Sequence, residues 1–162
     1  MARFDNEIKI TPSVIDRLID YEPQMSREAP ASRSKTLREL KQSIKRDLEW
    51  LLNTRQNAEG VPEGLIELKN SLASYGLPEF TSLNPQNPHH QVGLRKKLEE
   101  AISIFEPRLI NVSVRLEPTV FEGERALRFR IDGHLRVEPT PEPVTFDTVL
   151  QLLSGEYLVK ED

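Results

Sequence analysis

The sequence contains no cysteine, which excludes thiol catalysis, disulfide scaffolds and cysteine-based zinc sites. It also has no apolar run near the roughly 18 to 20 residues that a membrane span requires. No apolar stretch follows the charged N-terminus in the manner of a signal peptide. These absences favour a cytoplasmic protein with no direct membrane insertion.

Glycine and aromatic residues are scarce as well. The seven glycines form neither a P-loop nor a dinucleotide-binding loop, so we expect no cofactor. Aromatic residues make up only 6% of the chain, which provides no signal for an aromatic-rich sugar cleft. The net charge of −4 gives no overall field that attracts nucleic acid or an anionic membrane.

The rest of the composition is typical of one soluble folded domain. The chain has 162 residues, of which 37% are hydrophobic and 30% are charged. A chain of this length buries more than half of its unfolded surface in one core.

The clearest helical periodicity predicts a long amphipathic helix over residues 36–54, with Thr36 and Glu39 at capping-box spacing. Trp50, the only tryptophan, lies on the far side of this helix. We favour an interpretation in which a loop or the second helix covers Trp50, and the alternative is an exposed aromatic anchor for a partner. The apolar stripe consists of Leu37, Leu40, Ile44, Leu48, Leu51 and Leu52.

The N-terminal segment predicts a short helix over residues 13–20, capped by Thr11 and with Pro12 at its first position. Residues 21–36 contain prolines and scattered charges with hardly an apolar anchor, which is typical of a linker. We therefore divide the chain into residues 1–35, a short helix with a flexible linker, and residues 36–162, a single α+β domain.

Residues 56–91 are rich in turn formers, with one short helix predicted over 65–73. A second amphipathic helix is predicted over 92–105, where Arg95 and Glu99 can pair on the exposed side. Pro107 ends it.

After this helix the hydrophobic period changes from 3.6 to 2. The alternation predicts strands over 110–117, 126–138 and 144–153, then a tight turn and a final strand at 157–159. Gly133, on the apolar face, predicts a bulge or a close backbone contact. The fold class is therefore α+β, with the N-terminal helices packed on one face of a small antiparallel β-sheet formed by the C-terminal third.

Few side chains offer catalytic chemistry. His89 and His90 are adjacent in a predicted loop and His134 stands alone, so solvated histidines are favoured over a metal site. Glu106 and Asp147 are the carboxylates to consider first for a lysozyme-like hydrolase, which needs two carboxylates at a suitable distance. We predict that the chain is not an enzyme and has no catalytic, cofactor-binding or metal-binding residues.

The outer face of the predicted sheet is rich in arginine and could contact phosphate. No aromatic residues lie between these arginines, and acidic neighbours dilute their charge, so a solvated or protein-contacting face is favoured over nucleic-acid binding. The arginines are Arg115, Arg128, Arg130 and Arg136.

The most informative local feature is the junction between the second helix and the first strand. Here Pro107 restricts the backbone and presents Glu106 and Arg108 in a fixed geometry. One interpretation is an ion pair within the chain at the helix end. The other is a protein interface in which Arg108 offers two parallel hydrogen bonds to a partner.

Glu106, Pro107 and Arg108 resemble the Glu-Pro-Arg signature of the wedge proteins that contractile-tail phages share with type VI secretion systems, and in particular the TssE family. Further segments resemble this family in the same order and span about residues 12–160. They are residues 12–20 (PSVIDRLID), 43–55 (SIKRDLEWLLNTR), 75–80 (YGLPEF), 129–135 (FRIDGHL) and 146–159 (FDTVLQLLSGEYLV).

The resemblance implies a structural baseplate subunit that works with TssF, TssG and TssK near the bacterial inner membrane. It implies that Glu106, Pro107 and Arg108 dock on the helical core bundle of TssF and TssG. It also implies that the sheet pairs with the first ring of the sheath proteins TssB and TssC, and an open sheet edge could accept such a strand. A peptidoglycan hydrolase of a phage-tail-like machine is the alternative function.

Overall fold

The computed structural model describes residues 13–19, 33–56, 62, 64–78, 87–117, 126–151 and 155–161. The helices come first and the strands follow, as the sequence predicts. The elements are α1 (Val14–Leu18), α2 (Arg33–Asn53), α3 (Ile66–Lys69), a 3-10 turn (Leu72–Ser74), α4 (Pro88–Phe105), β1 (Leu109–Glu117), β2 (Ala126–Leu135), β3 (Glu142–Gln151) and β4 (Glu156–Glu161).

The four strands form one antiparallel sheet in the order β1-β2-β3-β4. Along β2 and β3, buried side chains alternate with more exposed ones, so one face of the sheet is buried. Helix α4 packs against β1, α2 packs against β4, and the two helices contact each other. The predicted α+β class, with helices over one face of a C-terminal antiparallel sheet, is confirmed.

The core lies between the two long helices and the inner face of the sheet. Helix α2 contributes the predicted stripe, in which Ile44 and Leu48 are fully buried. Burying a side chain of this size contributes about 1.5 to 3 kcal/mol. The largest fully buried side chains from the other elements are Leu94, Leu98, Ile102, Val114, Phe129, Ile131, Leu135, Phe146 and Val159.

Two predicted helix starts are wrong. Helix α2 begins at Arg33, so Thr36 lies inside the helix and does not cap it. Helix α4 begins at Pro88, because the Asn87 side chain accepts a hydrogen bond from the His89 N–H at 2.9 Å. His89 and His90 therefore lie in the first helical turn and not in a loop. An Asn before a Pro at the first helical position is a regular start signal.

The short helix α1 is also capped differently from the prediction. Ser13 is its N-cap and forms a capping box with Asp16. Thr11 and Pro12, which were predicted to start the helix, lie outside the described residues, as does most of the predicted linker. The division of the chain at residue 35 stays a prediction.

A β-bulge changes which side chains of β1 enter the core. The register of β1 on β2 shifts between Ile110 and Ser113, and Asn111 has a positive φ of 55°. Leu109 is buried as a result, whereas Ile110, predicted to be on the apolar face, is only half-buried. Gly133 lies across from this bulge, and an added Cβ would be at an ordinary contact distance of 3.5 Å from the Ile110 carbonyl oxygen. The bulge is therefore in the neighbouring strand, and Gly133 makes no unusually close backbone contact.

Candidate functional site

The corner, which we define as Glu106, Pro107 and Arg108, joins α4 to β1. The Glu106 N–H donates to the Ile102 carbonyl at 2.8 Å and closes the helix, and the Glu106 carbonyl accepts from the Leu109 N–H at 3.0 Å as the strand begins. The Arg108 carbonyl accepts from the Arg136 N–H at 2.8 Å, just beyond β2. Backbone hydrogen bonds therefore hold the corner on both sides.

Within the corner, Arg108 is bound to Glu106. The Arg108 Nε donates to Glu106 Oε1 at 2.6 Å, and its Nη2 donates to Glu106 Oε2. The Glu106 side chain is only 5% exposed, and this two-point contact supplies a buried carboxylate with an oppositely charged partner. Burial lowers the pKa of Arg108, but the hydrogen bonds and charges of Glu106 and Asp47 outweigh it and raise that pKa above its ordinary value.

Helix α2 completes the coordination of Arg108. The Arg108 Nη1 donates to Ser43 Oγ at 2.9 Å, and Nη2 donates to Asp47 Oδ2 at 2.5 Å. Ser43 and Asp47 are four residues apart, so they lie on one face of the helix. All three guanidinium nitrogens thus have partners within the chain, and the interpretation as an intramolecular ion pair is confirmed.

Helix α1 contacts the same groups through Asp16. Together, Asp16, Ser43, Arg46, Asp47, Glu106 and Arg108 form what we call the cluster. The Asp16 carboxylate accepts hydrogen bonds from Ser43 Oγ at 2.7 Å and from Arg46 Nη2 at 2.9 Å, and it lies 3.9 Å from Arg108 Nη1. Partial burial raises the pKa of Asp16, but hydrogen bonds from Ser13, Ser43 and Arg46, together with the Arg46 charge, outweigh it and lower that pKa to about 2.

An open cleft of about 440 Å³ lies beside this cluster. The exposed Pro107 lines it, and so does Trp50, which is 53% exposed and lies under the Arg46 guanidinium at 5.3 Å. The favoured prediction that Trp50 is covered is therefore wrong. The complete lining consists of Ser13, Val14, Ile15, Asp47, Trp50, Leu51, Tyr75, Phe105, Glu106, Pro107 and Arg108.

The carboxylates considered for a hydrolase are not brought together. Glu106 is bound to Arg108 on the helix side of the sheet. Asp147 alternates with the buried Phe146 and Thr148 and therefore points to the opposite face, where it accepts from Arg130 Nε at 3.1 Å. Two carboxylates on opposite faces cannot flank one glycosidic bond.

The other chemical candidates are dispersed in the described part of the chain. His89 and His90 are exposed at the start of α4, and His134 is half-buried in β2. The described residues contain no group of three or more histidines, cysteines or carboxylates that could hold a metal ion. No helix among them combines the length and apolar character that crossing a membrane requires.

Two of the four arginines of the outer sheet face lie beside carboxylates. Arg115 contacts Asp132 at 3.1 Å, and Arg130 contacts Asp147 at the same distance. These pairs reduce the positive potential that contact with phosphate requires. The geometry agrees with the preference for a solvated or protein-contacting face.

Side chains of α2 and α4 form hydrogen bonds with backbone groups of the two edge strands, β4 and β1. The Asn53 amide bonds both the N–H and the carbonyl of Tyr157, at 2.8 and 2.9 Å. Glu49 accepts from the Val159 N–H at 3.2 Å, and Glu99 accepts from the Val114 N–H at 2.9 Å. The expected open edge is therefore partly blocked, and Glu99 serves β1 in place of the predicted pair with Arg95.

The fold and the braced corner define a small α+β subunit with a rigid helix-to-strand junction beside an open cleft. A family model described as "Baseplate wedge protein gp25" matches residues 38–140, more than half of the chain. The chain belongs to this family of structural baseplate proteins of phage-tail-like machines. A search of curated proteins found no match.

Proposed function

We propose that this chain is the TssE-type wedge subunit of a bacterial type VI secretion baseplate, docking on the core bundle of TssF and TssG at the cleft beside the corner. The observation that carries this proposal is the family match over residues 38–140, which contains the entire corner. The resemblance of this corner to the Glu-Pro-Arg signature supports the assignment to type VI secretion.

The geometry favours docking through shape rather than through Arg108 itself. Every guanidinium nitrogen of Arg108 already has a partner within the chain, so a new bidentate contact would first have to break these bonds. Pro107 and Trp50 remain exposed on the cleft, and exposed aromatic side chains beside a pocket are frequent anchors of protein interfaces. In this proposal Arg108 braces the corner and the cleft makes the contact.

The same proposal covers the remaining partners. TssK would join the baseplate beside TssF and TssG on the cytoplasmic side of the inner membrane. The sheet would accept an extended segment of the sheath proteins TssB or TssC and so start sheath assembly. The blocked edges require the side chains of Asn53 and Glu49, or that of Glu99, to move before such a strand can pair.

Co-purification with TssF and TssG tests the docking site. Trp50→Ser should sharply reduce recovery of both partners on the tagged chain, because it removes the exposed anchor of the cleft. Val92→Ser is the matched control, since Val92 is similarly exposed (46%) on α4 and does not line the cleft. Equal recovery with both variants would contradict the proposed site.

A contact function also predicts no turnover of cell-wall substrate. Purified wild-type protein and a Glu106→Gln variant should leave peptidoglycan equally intact in a zymogram, because Glu106 and Asp147 do not converge. Clearing by the wild type that is lost in the variant would replace the proposal with a hydrolase.

A further inference from the structure

Helix α1 attaches to the domain in an unusual way. A short helix on a protein surface normally turns its apolar side chains to the core and its charges to solvent. Here the acidic Asp16 is docked on α2, whereas Val14 is 63% exposed and Leu18 is 78% exposed. The polar contact holds the helix in place and leaves its apolar side chains available.

Two apolar side chains of α1, those of Val14 and Ile15, line the proposed docking cleft. Ser13, Val14 and Ile15 line it together with Trp50 and the corner. The helix does not fill the cleft, which keeps a volume of about 440 Å³. A segment that blocked the site would occupy that space. Helix α1 instead forms one wall of the cleft.

The charges around the cleft are not balanced. Among the described residues, the ion-pair cluster beside the cleft contains three carboxylates, those of Asp16, Asp47 and Glu106, and two guanidinium groups, those of Arg46 and Arg108. Asp47, Glu106 and Arg108 line the cleft itself. One negative charge is therefore in excess, and both arginines are already bonded to carboxylates. A cationic group on an incoming segment complements this arrangement better than an acidic one does.

We infer that α1 is a wall of the docking cleft, clamped in place by Asp16, and that the occupant is a partner segment that carries an apolar side chain next to a basic one. The inference rests on the proposed function and deepens it. It concerns a part of the chain that precedes the family match, which begins at residue 38.

The position of α1 can be tested without any partner. Trp50 is the only tryptophan of the chain and lines the cleft beside Val14 and Ile15. Asp16→Asn removes the charge that holds the helix on Arg46, so the emission of Trp50 should shift to longer wavelength and be quenched more readily by acrylamide. Leu18→Ser is the control on the same helix, since Leu18 does not line the cleft, and it should leave the emission unchanged.

The contribution of α1 to docking is then measured by titrating the full-length chain with the TssF–TssG complex. Replacing Val14 and Ile15 together by serine should weaken binding about tenfold, because apolar surface that the partner covers is lost. Leu18→Ser should bind like the wild type. Wild-type binding should weaken as the salt concentration rises, as a basic occupant requires.

The outcomes separate the inference from the proposed function. Unchanged Trp50 emission in Asp16→Asn, or equal or tighter binding by the Val14 and Ile15 variant, would overturn the wall assignment. Binding that does not respond to salt would overturn the basic occupant. If the emission shifts but wild-type protein does not bind TssF–TssG, the proposed function fails while the position of α1 stands.

Discussion

At the scale of single residues, the geometry gives Arg108 a structural role. A guanidinium can satisfy several carboxylates at once because its donors form a planar fork. Arg108 uses this property to join Glu106 of the corner to Ser43 and Asp47 of α2. The carboxylate of Glu106 is nearly inaccessible. The polar connection between the corner and α2 is therefore made by the single side chain of Arg108.

Replacing this side chain should therefore destabilise the domain. Arg108→Ala leaves the buried Glu106 charge without its partner, and we expect a loss of about 2 to 4 kcal/mol in the free energy of unfolding. Urea titration provides the measurement. Arg115→Ala is the control, because Arg115 is 70% exposed in its pair with Asp132 and should cost at most about 1 kcal/mol. Equal losses for both variants would show that the cluster carries no special weight.

Asp16 predicts a specific dependence on pH. Its pKa in the folded protein is about 2, below the ordinary 3.8. Its charged form therefore contributes stability above pH 3.8, by about 2 kcal/mol, and this contribution disappears as the pH falls towards 2. The free energies of unfolding of wild type and Asp16→Asn should differ at neutral pH and converge in that window. A difference that does not change with pH would contradict the clamp.

At the scale of elements, a short backbone bridge ties the segment after α2 to the cleft. Leu77 donates to the Thr54 carbonyl at 2.8 Å and accepts from the Gln56 N–H at the same distance. Gly76 precedes this bridge with φ of 108°, and an added Cβ would lie 2.5 Å from the Thr54 carbonyl oxygen. The bridge positions Tyr75, whose ring packs edge-on against Phe105 with centroids 5.2 Å apart.

This contact makes Gly76 sensitive to substitution. Gly76→Ala combines an unfavourable φ with a clash against backbone, so thermal or urea unfolding should show a loss of about 2 to 4 kcal/mol. Gly64→Ala isolates the first effect, because Gly64 also has a positive φ (91°) but open space around it, and it should cost about 1 kcal/mol. If the two variants are equally stable, the close approach to Thr54 has no energetic consequence.

The elements also show which features sequence patterns could predict. The strands could be predicted from the period-2 alternation of apolar residues, because burial on one side of a sheet enforces that period. In β3, for example, Thr148 and Leu150 both lie on the buried inner face. The bulge at Asn111 interrupts it through a single positive φ, which no period records. The cluster was beyond sequence reasoning, since Asp16 and Arg46 are 30 positions apart and their meeting depends on tertiary packing. The start of α4, in contrast, is marked in the sequence itself by Asn87 followed by Pro88.

At the scale of the whole molecule, the sheet is protected at both edges by its own helices. A four-stranded sheet with free edges invites pairing with other chains. The amide of Asn53 engages the N–H and the carbonyl of Tyr157 as a neighbouring peptide group would. Glu49 and Glu99 protect single N–H groups on β4 and β1. These contacts partly block both edges of the sheet against pairing with other chains.

Removing the protection of β4 should expose that edge to other chains. We expect the double variant Glu49→Ala and Asn53→Ala to self-associate, measured as an increase in mass by light scattering, while the wild type stays monomeric at the same concentration. Gln42→Ala is the control, because Gln42 is an exposed polar residue of the same helix.

The double variant should also bind an isolated sheath-protein strand more readily than the wild type, since the helix no longer competes for the Tyr157 and Val159 backbone groups. A monomeric variant with unchanged strand binding would show that the proposed sheath contact does not use β4, and Glu99→Ala would then test β1 by the same two measurements.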